Sequence, residues 1–89
     1  MTSTESDEQL MKVSEWLRSK KPDSPELELD LDLIQNRVID SLIYIEFIFF
    51  LEELSGYELQ SHAEDANRFR TLRSIRDNVL SGKGLERVA

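Results

Sequence analysis

Cysteine is absent from the 89 residues, histidine occurs once, proline twice and glycine three times. Without cysteine the chain can build no disulfide, no thiolate nucleophile and no sulfur-ligated metal site, so its core must hold by packing alone. Basic residues are also in deficit, 11 against 18 acidic ones, giving a formal charge of −7 at pH 7. That balance disfavours nucleic acid and anionic membrane surfaces as partners and favours a basic protein. The longest apolar run, residues 42–51, is interrupted by Glu46 and reaches about half of the roughly 20 residues needed to span a bilayer. The first ten residues, "MTSTESDEQL", lack the basic and apolar regions of a signal peptide, so a cytoplasmic location is expected. A chain of this length is expected to form one domain over 1–89, with about 1–5 and 82–89 as flexible tails.

What is present reads as all-α. "SDEQ", Ser6 to Gln9, has the form of a capping box, and Leu10, Val13 and Leu17 recur at helical spacing with Trp16 beside them, predicting a first helix that ends near Lys20. Pro22 and Pro25 then break the helix. Acid and leucine alternate from Glu26 to Leu33, a pattern that by itself reads as a strand. No second segment offers a partner, and an ordered loop burying some of Leu27, Leu29, Leu31 and Leu33 is expected instead. The second helix is predicted from Ser41 to Leu54, with Asp40 as its cap and Gly56 as its stop, apolar on nearly every face and therefore central. An extended link with Tyr57 and Leu59 turned inward, a short helical turn around Ala63 to Asn67, and a last helix after Thr71 with Leu72, Ile75 and Val79 as its buried stripe complete the chain. Three main helices and a short one result, with a long loop between the first two.

The candidate functional residue is Ser41. A serine nucleophile needs a base, an orienting acid and an oxyanion hole, and the single histidine, His62, stands in a polar loop. The Gly-x-Ser-x-Gly elbow is missing. The carboxylates lack the spacing of a calcium loop, and Glu26, Glu28, Asp30 and Asp32 read as a solvated face rather than a metal site. Neither catalytic residues nor metal ligands are expected. Ser41 can instead be a substrate, modified by another enzyme: at the first turn of a helix its hydroxyl is exposed, and the positive end of the helix dipole favours an attached phosphate. Asp40 can cap the helix and can help hold a metal-bound phosphate donor during transfer.

"DSL" at Asp40 to Leu42, an apolar helix carrying "EF" at Glu46 and Phe47, "LEELSGYEL" at 51–59 and "RFRTLRSI" at 68–75 together resemble the acyl carrier and peptidyl carrier protein family, over most of the chain. The resemblance implies a four-helix bundle of the acyl-carrier type and a 4′-phosphopantetheine arm, donated by coenzyme A, on Ser41. Asp40 and Leu42 match the flanking recognition residues. Glu46, Glu52 and Glu53 match acidic positions that face basic partner enzymes, and Phe49 falls at an exposed apolar position of the same helix. Of Phe47, Phe49 and Phe50, at least one is expected inside, since three exposed aromatics would make a large apolar patch. Val38 stands where the family commonly has glycine, and Ile43 where fatty-acid carriers often have a polar residue. Both departures are more similar to discrete carriers that hold an aminoacyl or small aromatic acyl group in specialised, nonribosomal-peptide or polyketide-like biosynthesis.

Such a carrier is not an enzyme. The implied partners are a phosphopantetheinyl transferase, an adenylating ligase that activates the acyl or aminoacyl group, and a downstream acyltransferase, dehydrogenase or synthase. A monomer without nucleic acid or membrane partners is expected. The competing readings are a small helical interaction or dimerisation module, in which Ser41 only caps a helix and the Phe-rich segment finds its partner in another chain, and a small enzyme built around His62.

Overall fold

The computed structural model describes residues 2–82 and 84–88, with side chains from residue 8 onward. Helix α1 spans Thr2–Lys20. It begins before the expected capping box: Ser6 lies within the helix and its side chain is outside the described residues, while Gln9 donates from Nε2 to the Leu54 carbonyl at 3.4 Å. Val13 and Leu17, one turn apart, are fully buried, and Leu10 and Trp16 are partly so. The stripe therefore packs as its spacing predicts, with Trp16 stacked against both Phe47 and Phe50 at centroid distances of 5.4 and 5.0 Å.

Residues 21–40 form a loop without strand pairing. Leu33 is fully buried, and Leu27, Leu29 and Leu31 pack against the core more shallowly. The loop's backbone is tied to the residues around the start of the last helix: Leu33 N–H donates to the Arg70 carbonyl at 2.7 Å, and Arg73 N–H donates to the Leu29 carbonyl at 3.0 Å. Its acids are not merely a solvated face. Asp30 takes two hydrogen bonds from Arg73, at 2.6 and 3.0 Å, and Asp32 takes one from Arg70 at 2.9 Å. Charged side chains thus strap the loop down at the C-terminal end of its acidic stretch, while Glu26 and Glu28 are exposed.

Helix α2 spans Ser41–Ser55 and ends on Gly56, whose left-handed φ of 78° suits glycine. Two 3-10 turns, Gln60–His62 and Ala66–Phe69, stand where one short helix around 63–67 was expected. Helix α3, Leu72–Ile75, is capped by Thr71 Oγ1 accepting from Ser74 N–H at 3.0 Å, and runs on into a π-helical turn, Arg76–Leu80. The wider turn brings Leu80 as well as Val79 into the core behind Leu72 and Ile75, which α-helical spacing alone did not predict.

Near the C-terminus, in the stretch expected as a tail, residues 86 and 88 meet the link after α2. Glu58 N–H donates to the Glu86 carbonyl at 2.7 Å and Val88 N–H to the Gly56 carbonyl at 2.9 Å. Arg87 sits over the Tyr57 ring at 5.1 Å. Tyr57 is half-buried rather than inside, and it lies so close to Gly82 that a side chain at that position would collide with its ring. Leu59 is fully buried as expected. The radius of gyration, 12.1 Å, is the value expected for a folded chain of this length. Among the described residues, no helix is long and apolar enough to cross a membrane.

Candidate functional site

Ser41 is exposed and is the first residue of α2. Asp40, with extended backbone, caps the helix: its Oδ1 accepts from Leu42 N–H at 3.1 Å and Ile43 N–H at 2.9 Å. Its Oδ2 lies 3.5 Å from Nζ of Lys21, the residue after α1. The Ile43 N–H, opposed by partial desolvation and aided by Lys21 and the Leu42 N–H, holds the Asp40 carboxyl below the usual range. The serine beside it is thereby fixed at the helix tip. Asp40→Ala is expected to free the first turn, giving severalfold faster amide exchange at Leu42 and Ile43 and a lower unfolding midpoint, with Asp40→Asn retaining most of the protection. Unchanged exchange in the alanine variant would show that the cap does not hold this turn.

An open groove of about 630 Å³ adjoins Ser41, walled by Ile34, Ile39, Tyr44, Ile45 and Ala66, with Arg37 and Asp40 at its polar edge. Tyr44 fixes one wall, because its hydroxyl donates to the Ala63 carbonyl at 2.5 Å and its ring meets Phe69 edge-on at 5.9 Å. Burial, and then the Asp65 charge, push the Tyr44 phenol up, which keeps it a donor. A smaller groove of about 230 Å³ shares Tyr44 and Ile45 and extends along α2 past Ile48 to Phe49, Gln60 and Ala63. Apolar space thus runs from the serine down one side of α2.

The outward face of α2 is also apolar. Leu42, Ile45 and Phe49 are 78, 59 and 52% exposed and follow one another at helical spacing, forming a single stripe from the serine downward. Glu46 and Glu53 are exposed beside it, Glu46 with Lys20 Nζ at 3.5 Å. Glu52 departs from the expected partner-facing role. Its carboxylate accepts from Leu59 N–H at 2.7 Å, Gln60 N–H at 3.1 Å and Gln60 Nε2 at 3.0 Å, capping the link that follows α2. Helical geometry turns position 52 toward that link and position 53 away from it. Phe47 is fully buried and Phe50 partly so, leaving Phe49 as the outward aromatic.

These carboxylates set the acid response. Desolvation opposes ionisation of Glu52, but its three hydrogen bonds outweigh it and depress its pKa; the Arg73 hydrogen bond depresses Asp30, and the Gln35 N–H followed by Arg70 depresses Asp32. Each group binds protons less readily in the fold than in the unfolded chain, so its stabilisation is complete above the unfolded pKa and is lost as pH falls through the folded one. Urea midpoints are expected to be flat from pH 7 to about 5 and to fall below roughly pH 4. A midpoint that rises on acidification through that window would contradict these assignments.

His62 closes the first 3-10 turn, half-buried, and lines neither groove beside α2. Among the described residues, no group of three or more His, Asp or Glu is placed to hold a metal ion. The structure places Leu42, Glu46, Phe49 and Glu53 along the outward face of α2, the helix that Asp40 and Ser41 begin. It adds the groove walls Ile34, Ile39 and Tyr44, which sequence reasoning did not single out because an apolar residue at a groove and one in a core look alike in sequence. Arg37, at the groove's edge, carried no signal at all.

No family model matches the sequence, and no curated protein or solved structure matches it either. Function therefore rests on the residues and their geometry.

Proposed function

We propose that the chain is an acyl or aminoacyl carrier protein, with the helical fold serving as a small four-helix bundle of the acyl-carrier type and 4′-phosphopantetheine attached to Ser41. The observation that carries this reading is the exposed Ser41 hydroxyl at the tip of α2, directly after a capping aspartate and beside an open, largely apolar groove. An attachment serine must be reachable and must leave room next to it for a bulky phosphodiester. A sealed hydroxyl would refuse the arm; this one fits it. In loading, Ser41 Oγ forms a bond to the phosphorus that bears pantetheine in coenzyme A, the bond to the 3′,5′-ADP leaving group breaks, and the serine proton passes to a base on the transferase. The chain therefore needs no base of its own.

When attached, the arm supplies the thiol that the sequence lacks, and the cargo is carried on it as a thioester. The protein's own residues supply address and position. The Leu42, Ile45 and Phe49 stripe, flanked by Glu46 and Glu53, is the surface for the transferase, an adenylating ligase and a downstream acyltransferase, dehydrogenase or synthase in specialised biosynthesis. Its modest size and negative charge suit partners that must bind and leave quickly. Tethering then holds the cargo at high effective concentration near each docked enzyme. Phe49→Ser is expected to raise the KM of a partner enzyme about tenfold while leaving stability nearly unchanged, since Phe49 is half-exposed. An unaltered KM would remove Phe49 from the docking surface.

The test of the reading is incubation with coenzyme A and a broad-specificity transferase, followed by intact-mass measurement. A gain of one phosphopantetheine per chain is expected. The exposed stripe also favours a second reading, a dimerisation module in which Ser41 only begins a helix. A chain that takes up no phosphopantetheine and sediments as a dimer would establish that alternative in its place.

A further inference from the structure

Arg37 stands at the meeting of two surface grooves. One is the groove containing Ser41, where Arg37 alone among the lining residues is basic. The other, about 390 Å³, is lined by Lys20, Lys21, Asp23 and Asn36 as well as Arg37. The backbone beneath Arg37 is held firmly: its N–H donates to the Ile34 carbonyl at 3.1 Å, Val38 and Ile39 are buried, and Ile39 N–H donates to the Leu33 carbonyl at 3.0 Å. Arg37 itself has a left-handed φ of 60°, a conformation glycine would adopt without strain. The side chain is exposed.

The other cations around α2 are committed. Lys21 lies 3.5 Å from Asp40 and Lys20 lies 3.5 Å from Glu46, while Arg68, Arg70, Arg73 and Arg76 pair with Asp65, Asp32, Asp30 and Asp77. The Arg37 guanidinium makes no ion pair or side-chain hydrogen bond among the described residues. Attaching an arm at Ser41 would place a phosphodiester, with one negative charge, directly beside the Asp40 carboxylate. Lys21 already balances that carboxylate. The added charge needs a further cation, and the Ser41 groove offers one.

We infer that Arg37 is the counter-cation of the phosphodiester that joins the arm to Ser41, holding the first segment of the arm against the groove edge. This rests on the carrier reading above. Arg37 is thus a positioning residue: it acts on the arm's root and leaves the thiol free to move.

The experiment loads wild type, Arg37→Gln, Arg37→Gly and Arg37→Lys with coenzyme A and a transferase, confirms each by mass, and compares apo and loaded forms at low ionic strength. In wild type and Arg37→Lys the unfolding midpoint is expected to be unchanged or raised on loading. In Arg37→Gln and Arg37→Gly loading is expected to lower it by about 3 °C, and the phosphorus resonance of the loaded variants should shift away from the wild-type position. Salt should erase the difference. Arg37→Gly preserves the backbone conformation, so a general folding defect would appear in its apo form and is separated from the loading effect. Arg18→Gln, exposed and outside both grooves, should behave as wild type. Equal apo-to-loaded changes and identical phosphorus resonances in all variants would overturn the role of Arg37 alone. A wild-type chain that never gains the mass would overturn this inference together with the carrier reading.

Discussion

Ser41→Ala is expected to abolish phosphopantetheine loading completely while keeping the fold. The substitution removes the hydroxyl at the tip of α2 to which the proposed arm would be joined, so loss should be total rather than graded. The same residue contributes little to stability. Ser41 is exposed, and the cap of the helix is the Asp40 carboxylate, which the substitution leaves bonded to the Leu42 and Ile43 N–H groups. Alanine is also the better helix former. The unfolding free energy should stay within about 0.5 kcal/mol of wild type, measured by urea titration, while intact mass after incubation with coenzyme A shows no gain. A variant that still gains one phosphopantetheine would move the attachment elsewhere and sink the assignment of Ser41.

The second large effect concerns stability. Phe47→Ala should destabilise the chain by about 3–5 kcal/mol, a large share of the roughly 5–15 kcal/mol that holds a domain of this kind. Phe47 is fully buried, lies 5.4 Å from Trp16 and 6.5 Å from Phe50 between ring centroids, and joins α2 to α1. Truncation would leave a void that neighbouring rings cannot fill without leaving their own contacts. Trp16 is the only tryptophan, so its fluorescence reports the same event as the urea midpoint. A cost below about 1 kcal/mol would mean that the aromatic stack is not what binds the two helices. The consequence reaches function, because Phe47 and Phe49 point to nearly opposite sides of α2. The ring that anchors the helix inward is what presents Phe49 and the stripe outward.

Much of this arrangement was legible beforehand where the signal is local. Asp40 before an apolar run and Gly56 after it mark α2 because a carboxylate satisfies free N–H groups and glycine accepts a left-handed turn; the helix runs Ser41–Ser55 as those signals require. Thr71 announced α3 in the same way. The spacing of Val13 and Leu17, and of Leu72, Ile75 and Val79, identified buried faces because helical periodicity is a property of the chain itself. By contrast, "SDEQ" is an equally local signal, yet α1 continues through it to Thr2 and Gln9 reaches across to Leu54.

The sequence by itself determined where the main helices lie, which of their faces are apolar, and that one serine begins α2. Each of these depends on residues within a turn or two of one another. Only the tertiary structure decided how charged residues are spent. Glu52 and Glu53 are neighbours with the same chemistry, yet one caps the link to Leu59 and Gln60 and the other faces outward. Asp30 and Asp32 bind Arg73 and Arg70 from some 40 positions away, and among the described residues Arg37 is left without an ion-pair partner beside Ser41. An ion pair is a meeting of side chains brought together by packing, and the order of residues along the chain does not encode which charge will find an opposite one close by.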